Sequence, residues 1–383
     1  MNSEEKKLQV TEYQLLEKLP DLFRLDSGER VKTPSEWETR RRELYRTAVD
    51  IQYGKMPPKP EYLEVETLYR SAEHNTFMIH AGTKEKQVSF RMKLILPKGL
   101  KKCPVIVDGD LCFGYTNNAG YISAATGEGV AWALFDRTEI VHDIQHEGRI
   151  GRLYEIYPEY DFGALGAWAW GYSRCIDALE KLDLPEIDTG FIVFSGHSRG
   201  GKTAVLAGVT DERAVIVNPN ETCAGACGCY RIHMRAKYGD GDEKRSETLA
   251  DLWRNFDFWL GPEMEKYKDD ETKLPFDCHY LKALVAPRIL FVSEATGDIW
   301  ANPLGSWQTT TAAHEAFKFL GVPENLYWYY RPGYHAHDVS DVEMLVNIIR
   351  HKKDGTPLDD RFFKLPFDKP ELAFDWRAPA AGK

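Results

Sequence analysis

The sequence predicts an α/β fold, a mostly parallel central sheet covered by helices on both faces as a three-layer sandwich, and three observations carry that reading. From residue 104 onward, short and wholly apolar runs alternate with helix-length stretches, the pattern of strands buried on both faces. One of those runs leads straight into Gly196-His197-Ser198-Arg199-Gly200, after which a helical stretch begins. The 383 residues are 43% hydrophobic and 28% charged with 12% aromatics, a globular composition that excludes disordered, collagen-like and low-complexity chains.

Taken in order, residues 1 to about 60 are charged and helical in flavour. Thr33-Pro34-Ser35-Glu36-Trp37 supplies an N-cap and a proline at the first helical position, opening an amphipathic run with Trp37, Leu44 and Val49 on one side. Met56-Pro57-Pro58-Lys59-Pro60 ends it. Alternation around Tyr62, Val65 and Leu68, then Phe77–Ile79 and Val88–Leu96, predicts an antiparallel entry to the sheet. Pro104–Val107, Val130–Phe135, Phe191–Ser195, Ala214–Val217, Arg288–Val292 and Leu326–Tyr330 read as buried strands. Leu165–Leu182, Arg199–Val209 and Val339–Ile349 read as helices. With no linker and no internal repeat, the expectation is a single domain over residues 1–383. It carries an N-terminal extension (about 1–100) and an insertion over the active edge (about 231–280), where Gly239-Asp240-Gly241-Asp242 and Trp253/Trp259 break the rhythm.

A net charge of −10, from 49 basic and 59 acidic side chains, argues against nucleic acid and against an anionic membrane surface as partners. No run approaches the roughly 18 apolar residues of a membrane span. Met1-Asn2-Ser3-Glu4-Glu5-Lys6-Lys7 lacks the basic start and apolar stretch of a signal peptide. The expectation is therefore a cytoplasmic protein, or a secreted one if its N-terminus is truncated. Cys223, Cys227 and Cys229 crowd together without the spaced pairs and fourth partner of a metal site, and read as small buried thiols.

The chemistry concentrates at Ser198. Glycines on either side of a serine let the chain turn sharply from strand to helix, raising the hydroxyl at the helix N-terminus with the Arg199 amide facing a developing oxyanion. The base should follow the last core strand, where Arg331-Pro332-Gly333-Tyr334-His335-Ala336-His337-Asp338 offers two histidines. His142, His146, His197, His233, His279 and His314 fall where loop or helix surface is expected, and His74, His80 and His351 fall far from the serine's side of the sheet. The acid has two candidate positions, Glu221 after Ala214–Val217 and Asp298 after Arg288–Val292.

These residues resemble the glucuronoyl esterases of carbohydrate esterase family 15, which have the α/β-hydrolase fold and cleave esters of 4-O-methyl-glucuronic acid in xylan. Ser198-Arg199-Gly200-Gly201-Lys202 is similar to the family's S-R-x-G-K, which implies that Arg199 helps stabilise the oxyanion and that Lys202 binds sugar hydroxyls. Glu221 falls at the family's acid, and Tyr230-Arg231 at an aromatic-arginine pair beyond it. Gly297-Asp298-Ile299-Trp300-Ala301-Asn302-Pro303 resembles the segment with the stacking tryptophan and, in bacterial members, a second acid. His335-Ala336-His337 is similar to an H-x-H whose second histidine is the base, and Glu247 corresponds to a glutamate that contacts uronate hydroxyls. Where fungal members carry a cysteine pair, this chain has His197 and Asp338.

The resemblance implies a serine esterase acting through an acyl-enzyme, with Ser198, His337 and Glu221 or Asp298 as its triad. Lys202, Glu247 and Trp300 would hold the sugar acid of a small-molecule or oligosaccharide ester, and no metal or organic cofactor is required. The competing readings are another carbohydrate acyl or acetyl esterase of the same superfamily, and a non-catalytic binding protein on the same scaffold.

Overall fold

The computed structural model describes residues 6–380; Met1–Glu5, on which the targeting expectation partly rests, lie outside the described residues. Twelve strands are described: β1 Leu8–Leu15, β2 Tyr62–Tyr69, β3 His74–Gly82, β4 Gln87–Ile95, β5 Cys103–Asp108, β6 Ala131–Phe135, β7 Ile187–His197, β8 Ala214–Asn220, β9 Ile232–Tyr238, β10 Lys244–Arg245, β11 Ile289–Ala295 and β12 Leu326–Arg331. Nine of them form one sheet in the order β12-β11-β8-β7-β5-β6-β4-β3-β2. The six strands from β12 to β6 run parallel, and β4, β3 and β2 continue the sheet antiparallel. Every residue of β5, β6 and β11 is buried, whereas β3 and β4 alternate between buried and more exposed positions. That contrast is what burial on two faces versus one demands of a strand sequence.

The alternation of side chains on each parallel strand feeds two separate cores. Val105, Val107 and Phe194 pack into one with the helices Ala164–Leu182 and Arg199–Thr210. Ile106, Val193, Ile216 and Phe291 pack into the other with Tyr121 and the helix Val339–Asp354. Neighbouring residues of one strand thus serve opposite layers, and the three-layer α/β architecture follows. The helix Pro34–Tyr45 opens on a capping box in which Thr33 and Glu36 exchange hydrogen bonds, with Pro34 in the first turn. Among the described residues no helix is long and apolar enough to cross a membrane.

Two regions differ from expectation. Leu8–Leu15 lies in the segment expected to be helical, yet it is a strand that pairs antiparallel with β9, and β10 completes a second, three-stranded sheet. Val10, Thr11 and Tyr13 have the shape for a strand, but the charges around them mask the alternation, and the partner lies more than 200 residues away in the insertion. The helices Ala119–Thr126 and Pro303–Phe319 add to those expected from the sequence. The second begins at Pro303, with the Asn302 side chain capping the Gly305 amide.

Candidate active site

At the end of β7 the chain turns through Ser198, whose φ of 57° and ψ of −121° put it in a region that side-chain-bearing residues rarely enter. The flanking glycines make the turn possible. A Cβ at Gly196 would meet the Gly200 carbonyl oxygen at 2.5 Å, and one at Gly200 would meet the Asp110 carboxylate at 2.0 Å. The Ser198 amide donates to the Asn220 carbonyl at 2.8 Å, tying the turn to the end of β8. The hydroxyl therefore stands at the N-terminus of the helix Arg199–Thr210, where the helix dipole favours negative charge.

The histidine in reach of Ser198 is His335. Its Nε2 lies 2.9 Å from Ser198 Oγ and its Nδ1 lies 2.6 Å from Asp298 Oδ2, which fixes the tautomer with the proton on Nδ1. Glu221 Oε2 stands further off, 3.5 Å from the same Nδ1. His337, the expected base, takes no part in this array. It is buried, both ring nitrogens lack a hydrogen-bond partner, and burial holds its pKa well below the usual histidine value. The cause is the direction of the chain after β12. The backbone bends through residues 332–336 instead of running extended, so His335 turns to the serine while His337 turns into a pocket of Tyr115, Tyr121 and His197, with ring centroids 5.0, 5.5 and 5.8 Å away.

Both candidate acids reach the site, by different means. Asp298 caps the short turn Ile299–Ala301 through Oδ1 and leaves Oδ2 for His335. Glu221 is fully buried with a φ of 46°. It receives the Arg331 guanidinium on one oxygen and the Ala336 amide, at 3.1 Å, on the other. Burial pushes its pKa well up, against the pull of Arg331. Arg331 in turn donates to Asp341 Oδ2 at 2.9 Å and to the Ala336 carbonyl, so it fastens the histidine loop to the following helix.

Arg199 projects half-exposed from the elbow. Its guanidinium donates to Asp143 Oδ2 at 3.0 Å and lies 5.1 and 4.8 Å from the ring centroids of Phe256 and Trp259, while Trp259 Nε1 donates to the other Asp143 oxygen. The cation is held in place before any substrate arrives. Lys202 departs from the sugar-binding expectation. Its side chain is buried, and its ammonium meets the carbonyls of Thr222 and Ala224 and Glu247 Oε2, the last at 3.3 Å. An ammonium has three donors, so a sugar hydroxyl would have to displace one of these partners. Glu247 is anchored further by its amide to the Trp300 carbonyl at 3.0 Å, and Trp300 is one of the few large aromatic side chains in the open, 37% exposed.

Several residues of the site carried no signal in the sequence reading. His197, expected at the surface, is buried with its ring centroid 4.7 Å from that of His335. Its Nδ1 donates to Asn220 Oδ1 at 2.6 Å, and burial holds its pKa down at about 3. Its backbone amide and the Tyr115 hydroxyl both donate to Asp110, which also pairs with the wholly buried Arg137. His279 is likewise buried, donating to the Pro20 carbonyl at 3.0 Å. Asp108-Gly109-Asp110 at the end of an apolar strand was the one clue available for Asp110. As for ligand-type atoms, His197, Glu221 and His335 form one close group and Cys223, Asp298 and His335 another, both centred on the imidazole that already bridges serine and acid. Cys223, Cys227 and Cys229 are buried free thiols.

Fold and site together define a class: an α/β-hydrolase with a serine, a histidine and a carboxylate aligned at a nucleophile elbow. A family model described as "Glucuronyl esterase, fungi" matches residues 79–321. The 4-O-methyl-glucuronoyl methylesterase of Hypocrea jecorina is 35% identical over 324 residues, 84% of this chain, which spans 66% of that protein's length. The Wolfiporia cocos 4-O-methyl-glucuronoyl methylesterase 1 is 29% identical over 332 residues, 84% of this chain and 76% of its own. A carbohydrate esterase family 15 glucuronoyl esterase from Caldicellulosiruptor kristjansonii superposes with a TM-score of 0.84 at 29% identity, over 95% of this chain and 98% of that one. A mutant Sporotrichum thermophile glucuronoyl esterase, in complex with methyl 4-O-methyl-β-D-glucopyranuronate, superposes with a TM-score of 0.71 at 25% identity, over 90% and 89% of the two chains. The chain belongs to the glucuronoyl esterase family.

Proposed function

We propose that this chain hydrolyses the carboxylic ester of a sugar acid, a 4-O-methyl-glucuronoyl ester of xylan fragments, with Ser198 as nucleophile and His335 as base. The observation that carries the reading is the unbroken line from Ser198 Oγ through the two ring nitrogens of His335 to Asp298, at 2.9 and 2.6 Å. Names and ligands of the relatives support the substrate class.

In the reaction, Ser198 Oγ attacks the ester carbon while its proton passes to His335 Nε2. Asp298 steadies the resulting imidazolium through Nδ1. Negative charge grows on the carbonyl oxygen beside the Arg199 amide at the helix N-terminus and the fixed Arg199 guanidinium. His335 then returns the proton to the departing alcohol, leaving the uronoyl group on Ser198. Water, deprotonated by the same nitrogen, attacks the acyl carbon; the bond to Ser198 Oγ breaks, His335 returns the proton to Oγ, and the acid is released. Trp300 offers an open face for the apolar side of the sugar ring, and Glu247, held by Lys202, offers an acceptor for its hydroxyls.

Purified protein assayed on benzyl 4-O-methyl-glucuronate, methyl galacturonate and p-nitrophenyl acetate tests this. The glucuronate ester should lead in kcat/KM by at least about tenfold, the low end of what a shaped pocket achieves between related substrates. A preference for the acetyl ester would move the protein to the wider class of acyl esterases.

A further inference from the structure

The Cys223 sulfur, an Asp298 carboxylate oxygen and a ring nitrogen of His335 lie within 4.8 Å of one another. We propose that these three residues form an inhibitory zinc site, in which the ion bonds Cys223 Sγ, Asp298 Oδ2 and His335 Nδ1 and keeps its fourth position for water. The inhibition rests on the uronoyl esterase reading, because it acts through the Ser198–His335 pair; the binding does not.

The donor set is the first argument. Thiolate, imidazole and carboxylate are the ligands zinc takes, and three from the protein with one position open is a known arrangement. Cys223 stands in the loop after β8, Asp298 in the loop after β11 and His335 in the loop after β12. The adjacency of these three strands in the sheet brings the loops to one edge, which is why no local spacing in the sequence announces the set. Around a tetrahedral zinc, nitrogen and oxygen ligands stand about 3.3 Å apart and sulfur about 3.5 Å from either. His335 Nδ1 and Asp298 Oδ2, now 2.6 Å apart across a hydrogen bond, have only to part slightly, and Cys223 has to close by no more than about 1.3 Å.

The second argument is that these donors are available. The Cys223 sulfur contacts the Glu221 carbonyl at a long 3.8 Å, and burial pushes its thiol pKa up against the pull of Lys202, so the sulfur keeps its proton until a metal takes it. Cys223 and Asp298 are buried, whereas His335 faces solvent and gives the ion a way in. The neighbouring group of His197, Glu221 and His335 is less suited, because its donors are already engaged. The Glu221 oxygens hold Arg331 and the Ala336 amide, and His197 Nδ1 holds Asn220.

Binding moves two protons. The thiol proton leaves to solvent as the zinc–sulfur bond forms, and the imidazole proton passes from Nδ1 to Nε2 as the Nδ1 lone pair goes to the metal. Nε2, which lies 2.9 Å from Ser198 Oγ and accepts its proton in the free protein, then donates to that oxygen and can take nothing from it. Zinc and ester cleavage therefore exclude each other.

The test is a titration of the purified protein with Zn²⁺, followed by calorimetry and by turnover of benzyl 4-O-methyl-glucuronate. Wild type should bind one ion per chain. Saturating zinc should lower kcat about 100-fold or more, the contribution of a general base, with KM little changed and activity restored by EDTA. Cys223→Ala should keep the metal-free kcat and weaken zinc binding about 100-fold, since loss of even an outer hydrogen-bond partner of a ligand costs about 10–100-fold. Cys223→Ser serves the same end should the alanine variant fail to fold. Co²⁺ in place of zinc should give wild type a thiolate-to-metal charge-transfer band that both variants lack, and Mg²⁺ and Ca²⁺, which take oxygen ligands, should neither bind there nor inhibit. Failure of wild type to bind zinc, an equal response to Mg²⁺, or zinc binding of equal strength in wild type and the Cys223 variants overturns the site, the last result assigning the ion to other donors. Absence of turnover by metal-free wild type refutes the uronoyl esterase reading instead, and calorimetry and the cobalt band then still decide the site.

Discussion

The two loops that bring carboxylates to His335 solve different problems with the same functional group. The loop after β11 leaves Asp298 with one oxygen on a backbone amide and one on the imidazole, so its charge faces the Nδ1 proton, opposite the ring nitrogen that meets Ser198. The loop after β8 buries Glu221 and engages it with Arg331 and the Ala336 amide, so its charge holds the chain that carries the histidine. Distance agrees with this division, 2.6 Å against 3.5 Å to the same Nδ1. Proximity to the histidine that meets the serine thus does not by itself make an acid its partner. What matters is which of its lone pairs remain for the histidine.

The largest expected effect concerns what both loops serve. Ser198→Ala should lower kcat by several orders of magnitude, on the order of 10⁴-fold or more, with the fold unchanged by circular dichroism. His335→Ala should match it, whereas His337→Phe should stay within about tenfold of wild type, because His337 touches neither serine nor acid. If the His337 variant were the inactive one, the comparison of the loops would lose its centre.

Next comes the contrast between the acids. Asp298→Asn keeps the shape but removes the charge that orients and stabilises the imidazolium. It should cost about 10³-fold in kcat with little change in Tm. Glu221→Gln should do the reverse. It strips a buried carboxylate from the buried Arg331 and should lower stability by about 3 kcal/mol, with a kcat loss of only about tenfold. Measuring kcat and Tm on both variants separates the roles, and equal losses in both quantities would merge them.

Much of the fold could be read in advance, for a physical reason. Parallel strands buried on both faces leave unbroken apolar runs such as Val105–Val107 and Ile289–Val292, and these survive any reading of the sequence. β1 was illegible because its pairing partner lies in the insertion and the charges around Val10, Thr11 and Tyr13 mask their alternation. In the site, Ser198, Glu221 and Asp298 were legible from their places after strands. The choice between His335 and His337 was not, since two residues of the same type two positions apart differ only in the direction the loop gives them. His197 was hidden in the same way. Its burial depends on Tyr115 and Asp110 arriving from another loop and on Asn220 from β8.

The smallest expected effect is on stability in acid, and it follows from the same histidines. In the folded protein His197 is held neutral down to about pH 3, and burial depresses His337 well below its unfolded value of 6.5, with His197 and Arg331 nearby adding to the effect. Below pH 6.5 the unfolded chain therefore binds protons that the folded chain refuses, and stability falls as pH falls, by up to about 1.4 kcal/mol per pH unit for each such histidine. The loss continues until the folded pKa is reached. His337→Phe removes one of these groups and fills the aromatic pocket of Tyr115 and Tyr121. Its Tm should therefore decline less steeply than that of wild type between pH 6.5 and about 4.5, with the two curves running parallel above pH 7. Parallel Tm curves for wild type and His337→Phe throughout would mean that His337 is not held neutral by its burial, and the sharp difference between the two histidines of the loop would have to be abandoned.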